Sequence, residues 1–407
     1  MNTKQTEIGE IPADWEVVKL GDVAEIKSGG TPSTSNKDFW DGEIAWCTPT
    51  DITALKGGKY LTQTSRNITK SGLQYSAAEL LPADSIVMTS RATIGECAIA
   101  KIPVTTNQGF KNFICFDKVD SEFIYYLLGT QKKRFVALCA GSTFLEININ
   151  QVRSFQVAIP KSKPEQNAIA AILSDTDRLL AALRALIGKK RAVKTAAMQQ
   201  LLSGRLRLPG FAATDRLKNS ELGEIPEDWE VVKLGEVARI KTGSKNNQDK
   251  ADNGLYPFFV RSETVERINT FSYACEAILV PGEGGIGKIF HYINGKFDAH
   301  QRVYVIREFQ NTVAKFVYFA MVHSFGAYAM ENSVKATVDS LRLPTFKNFQ
   351  FAAPKSNSEQ TAIAQTLSDM DSEIAALEAR AAKLAQIKQG LMQNLLTGKI
   401  RVNTGAA

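Results

Sequence analysis

The chain has 407 residues, a net charge of +7 and a pI near 9.0, long enough for two or three domains that each bury a core without a disulfide or metal staple. Its five cysteines, Cys47, Cys97, Cys115, Cys139 and Cys275, are odd in number and widely spaced, which suits reduced thiols in a cytosolic protein, and no C-x-x-C pair suggests zinc. The opening MNTKQTEIGE lacks the basic patch and apolar core of a signal peptide, and the most membrane-like stretch, 316–325, is too short to span a bilayer and contains His323, so a soluble, cytoplasmic, bacterial-type protein is expected.

Along the chain, residues 7–29 read EIGEIPADWEVVKLGDVAEIKSG, with Trp15 as an expected core anchor. The insert that follows carries strand-like runs such as Ser85-Ile86-Val87-Met88 and Phe155-Gln156-Val157-Ala158, and an apolar helical segment over 123–138. From Pro160, PKSKPEQNAIAAILSDTDRLLAAL opens a long helix. Its seam, Ile169, Leu173, Thr176, Leu180, Leu183, Ile187, Ala197 and Leu201, follows four-three spacing and is interrupted by Lys190 and Lys194. At Leu202-Ser203-Gly204-Arg205 a glycine stands where a helix takes a left-handed terminal residue, followed by a cation.

The frame then returns. Residues 221–243 read ELGEIPEDWEVVKLGEVARIKTG, placing Trp229 at an offset of 214 from Trp15, and PKSNSEQTAIAQTLSDMDSEIAAL from Pro354 repeats the helix start at an offset of 194. The offset falls by 20 because the second insert is shorter. Such a doubled frame around two divergent inserts assigns a shared structural or partner-binding task to the frame and leaves the inserts free to differ in specificity. Ile278-Leu279-Val280 and Val303-Tyr304-Val305-Ile306 as strands, and 313–330 as helix, occupy matching places in the second insert, so both halves are expected to share one mixed α/β fold. The second helix continues the seam through Ile363, Leu367, Met370, Ile374, Leu377, Ala381, Leu384, Leu391 and Leu395, missing a position at Lys388, and stops at Leu396-Thr397-Gly398-Lys399. At about 1.5 Å per residue this seam is roughly 48 Å long, the length of a spacer rather than of a core. The two helices are expected to pack on each other. The expected boundaries are 1–159 and 221–353 for the α/β domains, 160–205 and 354–400 for the helices, 206–220 for a linker and 401–407 for a tail.

Charge follows this division. Residues 7–159 carry −2 and residues 221–353 carry −1, whereas residues 160–220 carry +8. The basic excess thus sits on one helix and its linker, with Lys189-Lys190-Arg191 as a candidate phosphate contact or solvated helix face, and the pI alone says little about the two domains.

The sharpest enzymatic motif is Gly282-Glu283-Gly284-Gly285-Ile286-Gly287-Lys288, which fits both G-x-G-x-x-G and G-x-x-x-x-G-K. A phosphate loop needs a hydroxyl after the lysine and a following helix, but residue 289 is isoleucine and Ile289 to Ile293 reads as a strand. The matching stretch Thr89 to Gly95 has lost the glycines, so a tight turn between paired strands is expected. The three histidines, His291, His300 and His323, form no H-E-x-x-H pair, and neither a G-x-S-x-G elbow nor the Asn-Pro-Pro-aromatic motif of amino-methyltransferases occurs. No catalytic or metal-binding residue is expected.

Together, the repeated G-x-I-P-x-D-W, the segment Lys27-Ser28-Gly29-Gly30-Thr31-Pro32-Ser33, the helix starts at Glu165-Gln166 and Glu359-Gln360, and the Leu-Leu-[Ser/Thr]-Gly-[Arg/Lys] stops resemble type I restriction-modification specificity subunits over nearly the whole chain. The resemblance implies an α+β architecture with a pseudo-twofold repeat: two α/β target-recognition domains held apart by two long conserved helices in an antiparallel coiled coil. It also implies a non-catalytic role, reading two different short half-sites of double-stranded DNA. Two adenine-methyltransferase subunits would supply S-adenosylmethionine chemistry, and motor-nuclease subunits would use ATP and Mg²⁺, so that no cofactor sits on this chain. The other reading is a coiled-coil adaptor without DNA specificity.

Base reading needs donors and acceptors presented from polar loops. The candidates in the first domain are Thr31, Ser33, Thr34, Arg66, Ser90, Arg91, Asn107, Gln108, Lys111, Ser142 and Thr143. Those in the second are Lys245, Asn246, Asn247, Arg261, Ser262, His300, Gln301, Arg302, Ser333 and Lys335. Gln108 and Gln301 hold corresponding places after Gly95 and Gly287. Glu165, Gln166, Glu359 and Gln360 are candidates for methyltransferase contact, with ordinary helix-start chemistry as the alternative. If the helices act as a ruler, adding one heptad to both lengthens the spacer between half-sites and leaves the half-sites alone. Mapping methylated adenines in DNA exposed to the reconstituted complex checks this; altered half-sites with an unchanged spacer contradict it.

Overall fold

A computed structural model describes residues 2–139, 145–212, 216–332 and 340–403, so the candidates Ser142, Thr143, Ser333 and Lys335 lie outside the described residues. The chain divides into two compact units, residues 1–183 with 380–407, and residues 184–379. Each long helix, Lys163–Leu202 and Asn357–Leu395, contributes its first half to one unit and its second half to the other. Among the described residues no helix is long and apolar enough to cross a membrane.

In the first unit, Thr3–Thr6 and Gly9–Pro12 form a hairpin, and Trp15–Lys19 pairs antiparallel with Gln156–Pro160, placing Trp15 opposite Pro160. A five-stranded sheet runs in the order Ala24–Ser28, Phe110–Cys115, Ile86–Thr89, Cys97–Ala100, Tyr60–Leu61, the last pair parallel. Its central strand Ile86–Thr89 is buried at every residue, which is why the sequence there is a continuous apolar run instead of an alternation. Helices Ser121–Thr130 and Lys132–Leu138 cover the sheet through Phe123, Leu127 and Phe135.

The second unit repeats this order. Hairpin Leu217–Ser220 with Gly223–Pro226 is followed by Trp229–Lys233 paired with Gln350–Pro354. The sheet runs Arg239–Thr242, Val303–Arg307, Tyr273–Pro281, His291–Ala299, Tyr256–Phe259, again with the last pair parallel, and adds Glu266–Ile268 at the edge. Ala314–Ala320 and Gly326–Glu331 cover it, joined by a π-helical turn at Met321–Phe325. The glycine-rich 282–288 segment lies between antiparallel strands Tyr273–Pro281 and His291–Ala299, the turn expected from its sequence.

The length difference is local. Leu20 and Leu234 are 214 residues apart, but Tyr60 and Tyr256 only 196, so nearly all the missing residues precede the parallel edge strand. In the first unit that extra length, together with Arg66–Ile68 and Val104–Thr106, builds a separate three-stranded sheet around Trp40–Cys47.

Within each unit the two helix halves run antiparallel. In the second, Lys190 pairs with Glu373 at 2.7 Å and Lys194 with Asp371, while Met198 and Leu201 share a core cluster with Ile363 and Leu367. In the first, Lys388 pairs with Asp177 at 2.6 Å, and Leu395 and Leu396 share a core cluster with Ile169 and Leu173. The lysines that interrupt the heptads are therefore seam residues with acidic partners, a polar device that fixes register. Arg191 also pairs with Glu378 at 2.5 Å, so Lys190 and Arg191 of the Lys189-Lys190-Arg191 run each hold an acid of the second helix.

Both helix stops adopt the expected left-handed glycine, Gly204 at φ +73° and Gly398 at φ +70°. Each also lies against the frame: a Cβ on Gly204 would lie 2.6 Å from Pro226 Cγ, and one on Gly398 would lie 2.4 Å from Pro12 Cγ. Gly398→Ala is expected to lower stability by about 1–3 kcal/mol, from the φ penalty and the contact with Pro12 together. Gly188→Ala, in open space inside a helix, should raise it by about 0.5–1 kcal/mol. Thermal unfolding of the two variants checks both signs.

Candidate nucleic-acid interface

In the first unit the chain leaves strand Ala24–Ser28 and crosses the segment after Val104–Thr106 at van der Waals closeness. Gly30 N–H donates to Thr106 O at 2.8 Å, and a Cβ on Gly29 would lie only 1.9 Å from Asn107 O. Only glycine permits that approach. The crossing brings Thr31 to Gln108, whose Oε1 accepts from the Thr31 hydroxyl. Two indoles hold the loop from behind: Trp46 Nε1 donates to Gly30 O and Trp40 Nε1 to Ser33 O, both at 3.0 Å. Thr31, Ser33, Thr34 and Gln108 are exposed, and Asn107 is half-buried with its Oδ1 accepting from Gly109 N–H at 2.9 Å. Arg66 is exposed and lies 3.8 Å from the Trp40 ring centroid.

The second unit builds the same crossing. A Cβ on Gly243 would lie 2.1 Å from Ala299 O, and the Ser244 and Lys245 amides both donate to that carbonyl at 3.2 Å. Gln301 N–H donates to Lys245 O at 2.8 Å and its Nε2 to Asn246 Oδ1 at 2.6 Å. Asn247 is exposed beside it, opening the 3-10 turn Asn247–Asp249. Gln108 and Gln301, 193 residues apart, thus stand at one topological position, tethered to the loop after the edge strand and exposed at the surface.

Other candidates fare differently. Ser90 and Lys111 are buried and are not loop readers: Lys111 belongs to strand Phe110–Cys115, and its Nζ lies 3.3 Å from Ser90 Oγ and 3.6 Å from Glu146. Burial lowers the Lys111 pKa. Arg91 pairs with the same Glu146 at 2.9 Å. In the second unit Arg261 and Arg302 share Glu283, at 3.5 and 3.2 Å. His300 is buried, its Nδ1 accepting from Arg302 N–H at 3.0 Å, and burial, then Arg261 and Arg302, lower its pKa. It holds the turn and does not present itself to a base. Ser262 donates to Thr264 O at 3.0 Å and its carbonyl meets His291 Nε2 at 3.0 Å, a local turn role.

Glu165, Gln166, Glu359 and Gln360 are all buried, so they do not form an open partner surface. Gln166 accepts from Asp120 N–H at 3.0 Å and donates to Pro160 O at 2.8 Å; Gln360 accepts from Val313 N–H and donates to Pro354 O, both at 2.8 Å. The glutamates bind arginines just beyond the helix stops. Arg207 bridges Glu359, at 2.6 Å from Nε, and Asp228, at 2.8 and 2.9 Å from its two terminal nitrogens. Arg401 bridges Glu165 and Asp14 in the same way, at 2.7 Å from Nε and 2.6–2.7 Å from the terminal nitrogens. The segments read as linker and tail therefore contain structural residues, and residues 217–220 add a strand. Trp15 and Trp229 are fully buried beside these bridges, as core anchors, with Nε1 unpartnered in each. The signal for Arg207 and Arg401 lay in the repeat itself, two residues beyond the stop motif, as G-[RK]-x-R.

Comparison with known proteins gives a consistent result. A family model described as the type I restriction modification DNA specificity domain matches twice, over residues 12–189 and 226–389. The chain is 36% identical over 260 residues to the type I restriction enzyme MjaIX specificity subunit of Methanocaldococcus jannaschii, a match covering 63% of this chain and 59% of that protein. It is 26% identical over 450 residues to the putative MjaX specificity subunit of the same organism, covering 99% of this chain and 97% of the relative. A crystal structure of the type I restriction-modification S subunit from M. genitalium shares the fold, with TM-score 0.63 at 18% identity, covering 97% of this chain and 99% of that one.

Replacing Arg207 by Met leaves Glu359 buried without its cation and is expected to cost about 3–5 kcal/mol. Arg401→Met should cost less, because Asp14 is more exposed than Asp228. Hydrogen bonds from Arg401 and Arg207 hold the Asp14 and Asp228 pKa values below the ordinary carboxylate value. Their contribution is therefore complete above the unfolded-state pKa and is lost as pH falls through the folded one. Urea unfolding from pH 7 down to pH 3 should show wild type losing its advantage over the Met variants at the acid end.

Proposed function

Because the chain belongs to the type I restriction-modification DNA specificity family, carrying its domain twice, we propose that it is the DNA-recognition subunit of a type I restriction-modification complex. It reads an asymmetric, two-part double-stranded target, one part with each unit. It performs no chemistry itself. Two adenine-methyltransferase subunits bring S-adenosylmethionine and the modification reaction, and motor-nuclease subunits bring ATP and Mg²⁺. The complex works in the cytoplasm, where the DNA is.

The observation that carries this reading is the paired placement of Gln108 and Gln301. Two units with the same strand order, built on divergent inserts, each present a tethered, exposed amide at the same position beside a glycine crossing. A glutamine amide matches the N6 and N7 edge of adenine in the major groove, and a tethered side chain loses less rotamer freedom on binding. Differences in the surrounding loops then give the two units different targets.

Co-expression with an adenine-methyltransferase partner and mapping of methylated adenines is the test. The expected result is one split motif for wild type. For Gln301→Ala, discrimination at one position of one half-site should relax by about 10- to 100-fold, with the other half-site read normally; Gln108→Ala should do the converse. A complex that assembles and methylates no split motif defeats the proposal and favours a coiled-coil adaptor.

A further inference from the structure

We propose that Arg66 reads the edge of a guanine base, and that this contact belongs to the half-site of the first unit alone. The inference rests on the DNA-recognition function argued above and names the base chemistry of one residue within it.

The extra three-stranded sheet of the first unit, centred on Trp40–Cys47, carries Arg66 on its edge strand Arg66–Ile68. Antiparallel pairing sets Arg66 opposite Trp46, and Trp40 sits two residues away across the same pair, opposite Ile68. The two indoles meet edge to face, with centroids 4.9 Å apart and planes at 85°. The Arg66 guanidinium lies over Trp40 at 3.8 Å and within 5.4 Å of Trp46. The same indole N–H groups hold Gly30 and Ser33, so the arginine and the Thr31–Gln108 pair are fixed to one platform.

Stacking uses the face of a guanidinium and leaves the N–H donors along its edge free. A planar, pre-positioned fork of donors matches guanine O6 and N7, and stacking cuts the side-chain entropy lost on binding. The other arginines among the reading candidates are held by carboxylates, Arg91 by Glu146, and Arg261 and Arg302 by Glu283. Among the described residues no carboxylate pairs with Arg66. Among the described residues the second unit has no such sheet. Its counterpart by strand order, Arg267 of strand Glu266–Ile268, which likewise follows the parallel edge strand, commits Nε and Nη2 to the carbonyls of Gly254 and Leu255, at 3.0 and 2.9 Å.

The experiment maps methylated motifs for the complex reconstituted with wild type, Arg66→Ala, Arg66→Met and Arg66→Lys. If wild type modifies no split motif, the underlying function fails and not this inference. Given a motif, a half-site of the first unit, identified by its response to Gln108→Ala, must contain a G·C pair that relaxes by about 10- to 100-fold in Arg66→Ala, while the other half-site stays intact and certifies folding. Arg66→Lys should recover only part of the discrimination, because an ammonium is not a fork. Should Arg66→Ala prove inactive on every sequence, Arg66→Met, which keeps a side chain packed on Trp40, decides by the same criterion. A half-site without G·C, an unchanged motif, or weaker binding with unchanged motif and a shallower salt dependence, the mark of a phosphate contact, overturns the proposal.

Discussion

A buried carboxylate must find a cation or give up its charge, and Glu165 and Glu359 meet that demand in a way that fixes much of the rest. Each is answered by an arginine that lies just past the end of the other long helix and also holds the aspartate of I-P-x-D-W. Three segments remote in sequence are thereby joined at one point in each unit: a helix start, a helix stop and the first strand pair. The glycine stop is required because the helix must turn against Pro12 or Pro226, and the tryptophan is required to fill the space beneath. The frame is repeated in sequence because the junction is repeated in structure. Its second arginine comes from the last residues of the described chain, so the amino-terminal unit is completed only by the carboxy-terminal segment.

The same demand for partners changes the meaning of the charge. The +8 of residues 160–220 looks like an electrostatic footprint for a polyanion when read as a sum. In the structure Lys190, Arg191, Lys194 and Arg207 from that segment all face acids of the second helix or the frame. Lys194 with Asp371 and Lys388 with Asp177 are equivalent pairs, each partner shifted by 194 residues. A polar pair inside an apolar seam adds little net stability, yet a slip of one heptad would strand it, so it fixes the alignment of each antiparallel pair.

Much of this was legible in the sequence, and what was not has a physical reason. The repeat, the helices, the glycine stops, the turn at 282–288 and the core role of the tryptophans follow from periodicity and local backbone chemistry, which a sequence displays directly. Burial of a polar residue inside a mixed sheet is not displayed that way. Ser90 and Lys111 read as loop residues because serine and lysine are usually exposed, whereas both are buried, Lys111 on strand Phe110–Cys115 and Ser90 just past Ile86–Thr89. Glu165 and Glu359 fit helix starts by composition, and only the distant arginine reveals why they are buried. The Trp40–Trp46 platform escaped because cross-strand adjacency with Arg66 depends on a register that no local pattern specifies.

The two units also show how one frame supports unequal readers. In both, the loop after the edge strand is pinned by a glycine crossing, a backbone contact that tolerates any side chain further along the loop. In the second unit main-chain amides do the pinning, those of Ser244 and Lys245 on Ala299 O and that of Gln301 on Lys245 O. The first unit adds a sheet whose indoles bond to loop carbonyls, again leaving loop side chains unconstrained. Because the supports act on main-chain atoms, substitutions at the exposed positions change what is presented without loosening how it is held. The core beneath, from Trp15 or Trp229 through the central strand to the covering helices, is untouched by such exchanges. Divergent inserts between near-constant frames are the sequence pattern that this separation of support from presentation permits.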